Sequence, residues 1–257
     1  MKDVYVFGDP GADTLLFQMV DDHDLEMIEQ EVSYIRELTG EKPFCLTAVR
    51  AESWREDLSP WPAPAVFGDE AFGDGAAETL AKLLAEVVPE RKEDNAGEGI
   101  GEAGGNSAGE GTGEAGGNSA GEGIGEADGN SAGRKTKVYL GGYSLSGLFA
   151  LWAGYQTDRF DGIAAASPSV WFPQFTQYMR ENRIRTGAVY LSLGDREERT
   201  RDPVMSQVGN AIREGCEILK STGTDCVLEW NKGNHFKEPD LRTAKAFAWL
   251  MNRERPF

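Results

Sequence analysis

Ser144 stands in the run Gly142-Tyr143-Ser144-Leu145-Ser146-Gly147, after the apolar stretch "KVYL" and before the helix-forming "LFALWAGY". A serine on a sharp strand-to-helix turn presents its hydroxyl as a nucleophile. Such a turn needs small residues two before and two after the serine, because the backbone is crowded on both sides. Gly142 and Ser146 meet that need, with Ser146 standing where glycine is the common choice. Ser146 is the poorer nucleophile candidate, since the residue two beyond it is the bulky Leu148. The competing interpretation is a structural turn serine, because a chain with 32 glycines matches loose patterns by chance. The strand before and the helix after favour the nucleophile.

A serine hydroxyl needs a base within hydrogen-bond reach. The chain has two histidines. His235, in "NKGNHFKEPD", follows the last strand-like run and precedes the last helix, so the order is serine then histidine. His23, in "DDHDLE", reads as a polar residue at a helix entry. The acid that orients the base should come from the loop after "VYLSLG", where Asp195 and Glu197 lead and Glu198 and Asp202 stand behind them. An oxyanion formed in the reaction needs two backbone N–H donors. One is expected from Leu145 and the second from the loop after "TLLFQMV", at Asp22 or His23.

A chain of 257 residues suffices for one large α/β domain with its own core. The net charge of −17 argues against a nucleic-acid partner. Much of that charge is local, since residues 93–134 hold nine acidic side chains and one basic one. This segment carries a twelve-residue repeat, "NSAGEGTGEAGG" then "NSAGEGIGEADG". Its Gly, Ala, Ser and Glu cannot bury enough apolar surface to offset the entropy of ordering. It reads as a disordered insertion within the domain, tolerated because loop-closure cost grows slowly with length, rather than as an interaction tether. No stretch approaches the roughly 20 apolar residues of a membrane span, and the start lacks a signal peptide's apolar core and cleavage site. Cys45, Cys216 and Cys226 have no metal-type spacing and read as reduced, which predicts a cytoplasmic protein.

The remaining chain alternates strand and helix signals. Strands are expected at "VYVFG", "TLLFQMV", "PFCLTAV", "KVYLGG", "FDGIAAAS", "AVYLSLG" and "CVLEW". Helices are expected from "DLEMIEQEVSYIRELTG", ending at Gly40, from "GAAETLAKLLAEVVPE" and "LSGLFALWAGYQ", and over about 203–219 and 240–251. Short apolar strands between helices predict a mostly parallel sheet covered on both faces, with chemistry at the carboxyl ends of the strands.

With those residues in view, the chain resembles the α/β-hydrolase esterases of the esterase D group, in particular the enterochelin (ferric siderophore) esterase-like members. The stretches that carry the resemblance are "GYSLSGLFALWAGYQTDRFDGIAAASPSVWF", "VRAESWREDLSPWPAP", "SLGDREE" and "KGNHF". They span most of the chain outside the repeat. The resemblance implies an α/β-hydrolase fold, three-layered and truncated at its N-terminus, without the family's usual first strands or an N-terminal substrate domain. It moves the acid from Asp195 to Glu197, because the family's G-x-x-[DE] pattern maps onto Gly194 and Glu197. It also implies hydrolysis of a small or siderophore-like carboxylic ester, with no metal or organic cofactor. Three departures from the family stand out: the short front end, Ser146 in the elbow, and Asn234 where the siderophore esterases usually have a second glycine before the histidine. Tyr143, Trp54, Trp61, Trp171 and Phe172 are candidates to line a substrate pocket, with plain core packing the alternative for the tryptophans and the phenylalanine. The rival functions are an acyltransferase or thioesterase on the same fold, and a non-catalytic binding protein on a hydrolase scaffold.

Overall fold

Apolar runs with little polar interruption pair into one seven-stranded sheet in a computed structural model that describes residues 3–66, 68–90 and 136–253. The elements follow in the order β1 (Val4–Gly8), β2 (Thr14–Val20), α1 (Asp22–Thr39), β3 (Cys45–Arg50), α2 (Trp54–Asp57), α3 (Ala76–Glu86), β4 (Lys137–Tyr143) and α4 (Ser144–Gln156). They continue with β5 (Gly162–Ala166), α5 (Phe175–Glu181), β6 (Ala188–Gly194), α6 (Val208–Ser221), β7 (Asp225–Asn231) and α7 (Pro239–Asn252). The repeat at 93–134 lies outside the described residues.

The strand order is β1-β3-β2-β4-β5-β6-β7, parallel throughout except that β1 runs antiparallel to β3. From β2 the chain moves outward to β3, and from β4 it moves the other way, through β5 and β6 to β7. Reversal of direction between β2 and β4 opens a crevice beyond their carboxyl ends. Two apolar layers hold the sheet. Ile28, Val32 and Ile35 of α1 and Phe247 and Leu250 of α7 pack with Leu16, Leu46 and Ala164 on one face. On the other, α3, α4, α5 and α6 pack on Phe17, Met19, Val138, Leu140 and Leu191. Central β4 is buried along nearly all its length and therefore reads as a continuous apolar run. Its Gly141 is required by close approach, since a Cβ there would come within 2.6 Å of the Phe247 ring.

Three details differ from the sequence expectations. The helix expected from about 203 begins as a 3-10 turn at Met205–Gln207, with the α-helix over Val208–Ser221. Asp202 Oδ1 accepts from both Val204 N and Met205 N and sets that tight entry. Short helices α2 and α5 lie in Trp- and Pro-rich stretches where no helical period is visible. Leu38, which falls at helical spacing with the buried Ile28, Val32 and Ile35 of α1, is exposed, while Glu31 on the same helix is buried. Among the described residues no helix is long and apolar enough to cross a membrane.

Candidate active site

Ser144 is the first residue of α4, directly after β4, and its backbone lies in the left-handed region at φ 56°. For a serine that conformation costs on the order of 1–3 kcal/mol and is held only where the surroundings impose it. They do so here through close packing. A Cβ on Gly142 would overlap the Ser146 side chain, and one on Gly147 would sit 2.9 Å from Gly142 O. Ser146 is fully buried, and its Oγ donates to Met19 O at 2.7 Å. Ladder geometry explains why a hydroxyl is useful there. Val20 O faces β3, where it accepts from Ala51 N. Successive carbonyls along a strand point to opposite sides, so Met19 O faces β4. The β2–β4 pairing ends one residue earlier, at Gln18 with Gly141. The Ser146 hydroxyl supplies the rung that the ladder no longer provides.

His235 lies in the loop between β7 and α7, with Nε2 3.0 Å from Ser144 Oγ and Nδ1 2.7 Å from Glu197 Oε2. Glu197 follows β6 by three residues, and its side chain is buried. Burial opposes its ionisation, but bonds donated by His235, Gly194 N and Ser167 outweigh that and hold the carboxyl below its ordinary range. An ionised carboxylate only accepts, so it assigns the imidazole proton to Nδ1. Nε2 is then left as acceptor for the Ser144 hydroxyl.

The acid loop and the histidine loop are stitched together. Asp195 N donates to Asn231 O, Arg196 N to Gly233 O, and Gly233 N to Asp195 Oδ1. Gly233 has φ 120°, a conformation reserved for glycine. Asp195 therefore spends its carboxylate on the neighbouring loop's backbone, which holds it below the usual carboxylate range. Glu198 pairs with Arg213, and Asp202 caps the 3-10 turn.

Leu145 N lies in the first turn of α4, where N–H groups have no intrahelical partner and the helix dipole favours an anion. Asp22 and His23 occupy the first turn of α1, immediately after β2, the strand beside β4. Asp21 N is engaged by the Asp24 carboxylate in a capping box. The Asp22 side chain turns to Arg50, with Oδ1 and Oδ2 accepting at 2.6 and 3.0 Å, and His23 is exposed beside Glu26.

Tyr143 is buried, and its hydroxyl donates to His235 O at 2.5 Å and accepts from Arg242, so it buttresses the histidine loop. Burial beside Glu197 raises its phenol to about 12. Trp54 and Trp171 are half-buried against the core, Trp171 edge-on to Phe72. Trp61 packs on Phe172, Phe175 and Tyr178. With Gln174, Gln177, Tyr178 and Glu181 it borders an open depression of about 250 Å³, whose lining includes none of Ser144, His235 and Glu197. Among the described residues no group of His, Cys, Asp and Glu is arranged to hold a metal ion.

Two residues of this network escaped sequence reasoning. Ser167, at φ 40° just after β5, donates to Glu197 Oε1 at 2.9 Å. Arg242 of α7 is buried to 1% and reaches Glu197, Ser167, Tyr143 and Asn234. A lone cation in the otherwise small and apolar inward stripe Arg242–Ala246–Phe247–Leu250 was the available signal.

No protein-family model matches the chain, and no curated protein matches its sequence. Solved structures do match. An IroE-like serine hydrolase from Shewanella oneidensis aligns with TM-score 0.66 and 12% identity, over 96% of this chain and 75% of that one. The siderophore hydrolase EstB from Aspergillus nidulans aligns with TM-score 0.61 and 14% identity, over 96% and 86%. The chain has the α/β-hydrolase fold. A Bacillus cereus carboxylesterase shares it at TM-score 0.51 and 12% identity, over 96% of this chain and 93% of that one. In this α/β-hydrolase fold, β4 is the strand that leads into the turn at Ser144.

Proposed function

We propose that this protein is a serine-dependent carboxylic-ester hydrolase in which Ser144 is the nucleophile, His235 the general base and Glu197 the acid that orients it. The observation that carries this reading is the continuous chain from Ser144 Oγ to His235 Nε2 and from Nδ1 to Glu197 Oε2, at 3.0 and 2.7 Å. Ser144 Oγ attacks the ester carbonyl as His235 Nε2 takes its proton. Glu197 stabilises the imidazolium. Leu145 N and a donor in the first turn of α1, Asp22 N or His23 N, hold the developing oxyanion. The imidazolium protonates the departing alcohol, leaving an acyl-enzyme. His235 then activates water to release the acid and restore the serine. No step calls on a metal or organic cofactor.

The substrate is proposed to be a small or siderophore-like ester, the latter because the neighbours include a siderophore hydrolase. Three free and buried cysteines suit a reducing compartment, which we take to be the cytoplasm. The reading is tested by fluorophosphonate labelling of wild type, Ser144→Ala and His235→Ala, with p-nitrophenyl esters from acetate to decanoate sizing the acyl site. Labelling is expected in wild type and absent in Ser144→Ala. Equal labelling of the two would sink the nucleophile assignment.

A further inference from the structure

Arg242 is the largest fully buried side chain among the described residues, and it sits behind the proposed acid. Its Nη1 donates to Glu197 Oε1 at 2.9 Å, to Tyr143 OH at 3.1 Å and to Ser167 Oγ at 3.3 Å. Nη2 donates to Asn234 O at 2.9 Å, in the residue just before His235. Tyr143 OH passes the connection on to His235 O. One guanidinium thus grips the acid on one side and the main chain flanking the base on the other. Ion pairing a carboxylate at such depth is expensive in desolvation and gives little net stability, and Arg242 Nε is itself buried without a hydrogen-bond partner among the described residues. The arrangement therefore calls for another purpose.

We propose that Arg242 is a positioning residue for ester hydrolysis, which locks Glu197 and His235 in register and tempers the charge that the acid presents to the imidazole. This rests on the ester-hydrolase reading above. The two carboxylate oxygens divide the work, Oε1 to Arg242, Ser167 and Gly194 N, and Oε2 to His235. A carboxylate already paired with a buried cation attracts an imidazolium less than a bare one does. The groups facing His235 are Glu197 from the β6 loop, Ser144 and Tyr143 at the β4–α4 junction, and Arg242 from α7. Lys237 and Glu238 flank it in its own loop, paired with each other, and Asp195 is turned to Gly233 N. Of these only Arg242 places a buried positive charge behind the acid.

The test compares full-length wild type, Arg242→Gln and Arg242→Lys. It uses p-nitrophenyl acetate turnover across pH, circular dichroism for folding, and one-dimensional proton NMR of the downfield imidazole N–H. In Arg242→Gln, kcat is expected to fall about ten- to a hundredfold with KM nearly unchanged, as for a small misplacement of reacting groups. The acid limb of its kcat/KM profile should move up by about half a pH unit or more as the opposing charge is lost. Arg242→Lys keeps the charge but not the fork, so its acid limb should stay with wild type while kcat falls several-fold. A folded Arg242→Gln with wild-type kcat and acid limb overturns the proposal. If Arg242→Gln does not fold, Arg242→Lys decides alone, and wild-type kcat there overturns the positioning role. Absence of turnover and labelling in wild type would count against the esterase reading instead, and the NMR signal, expected to shift in Gln and persist in Lys, still reports on Arg242.

Discussion

Replacing Ser146 by glycine would restore the commoner elbow pattern, and the structure says that it weakens this protein. The Ser146 hydroxyl is the partner of Met19 O at 2.7 Å, beyond the last β2–β4 rung, and both residues are buried. Leaving a buried carbonyl without its donor costs about 1–3 kcal/mol. Glycine in place of serine inside a helix adds roughly 0.5 kcal/mol. Ser146→Gly is therefore expected to lose about 1.5–3.5 kcal/mol. Ser146→Ala, which suffers the same lost bond but gains about 0.5 kcal/mol of helix propensity, should lose about 0.5–2.5 kcal/mol. At roughly 2–4 °C per kcal/mol for a chain of this size, the glycine variant should melt about 3–14 °C lower. Urea unfolding followed by tryptophan fluorescence gives the free energies, and fluorophosphonate labelling checks that Ser144 remains presented. A glycine variant as stable as wild type would falsify the missing-rung argument. Alanine proving worse than glycine would instead point to crowding against Gly142.

Three further outcomes follow from the same geometry. Glu197→Gln should lose at least a hundredfold in kcat/KM, because an amide cannot stabilise the imidazolium. Asp195→Asn should lose much less, since Asn still accepts from Gly233 N; steady-state kinetics on both variants checks the order. Glu31→Gln should stabilise the fold measurably at pH 7 and hardly at all at pH 4. Burial, together with the nearby Asp24 and Asp240, raises the Glu31 carboxyl well above its ordinary range, and among the described residues only Gln18 Nε2 donates to it. A raised folded-state carboxyl withdraws stability as pH climbs above the unfolded value of about 4.3, so paired urea melts at the two pH values carry the test. Asp24, raised to about 7 chiefly by burial, acts in the same direction. Deleting residues 95–133 should leave ester turnover within about twofold, as expected of a passive insertion; loss of turnover in a folded deletion variant would give the repeat a role in the chemistry.

The fold was legible because its strands are short and apolar and its helices are periodic. The capping box of Asp21 and Asp24 and the left-handed Gly40 bracket α1 where the local chemistry says it should start and stop. Segments whose form depends on distant partners were not legible. Helices α2 and α5 take shape around Trp61, Phe72 and Phe172 packing, which no local period announces. Of the candidate site, the pairing of Ser144 with His235 was legible from element order and from the scarcity of histidines. Choosing Glu197 needed the resemblance, because four acidic residues in one loop look alike until three dimensions show which faces inward. Glu197 is buried against His235, Ser167 and Arg242, whereas Asp195, Glu198 and Asp202 are engaged with Gly233, Arg213 and the α6 entry. Arg242 lies 45 residues from Glu197 in sequence, and such a contact leaves no mark on either local pattern.

The seam joining the loops after β6 and β7 has a bearing on how this scaffold can be remodelled. Three bonds connect Asp195, Arg196, Asn231 and Gly233, and two of them run backbone to backbone, so their spacing does not depend on side-chain identity. An insertion or deletion in one loop would slip its half of the seam and drag Glu197 or His235 out of line. The two loops should therefore be inherited, and grafted, as a matched cassette. Changes of length in one are viable only when the other changes with it, while substitutions at their outward tips, such as at Phe236, are free to diversify.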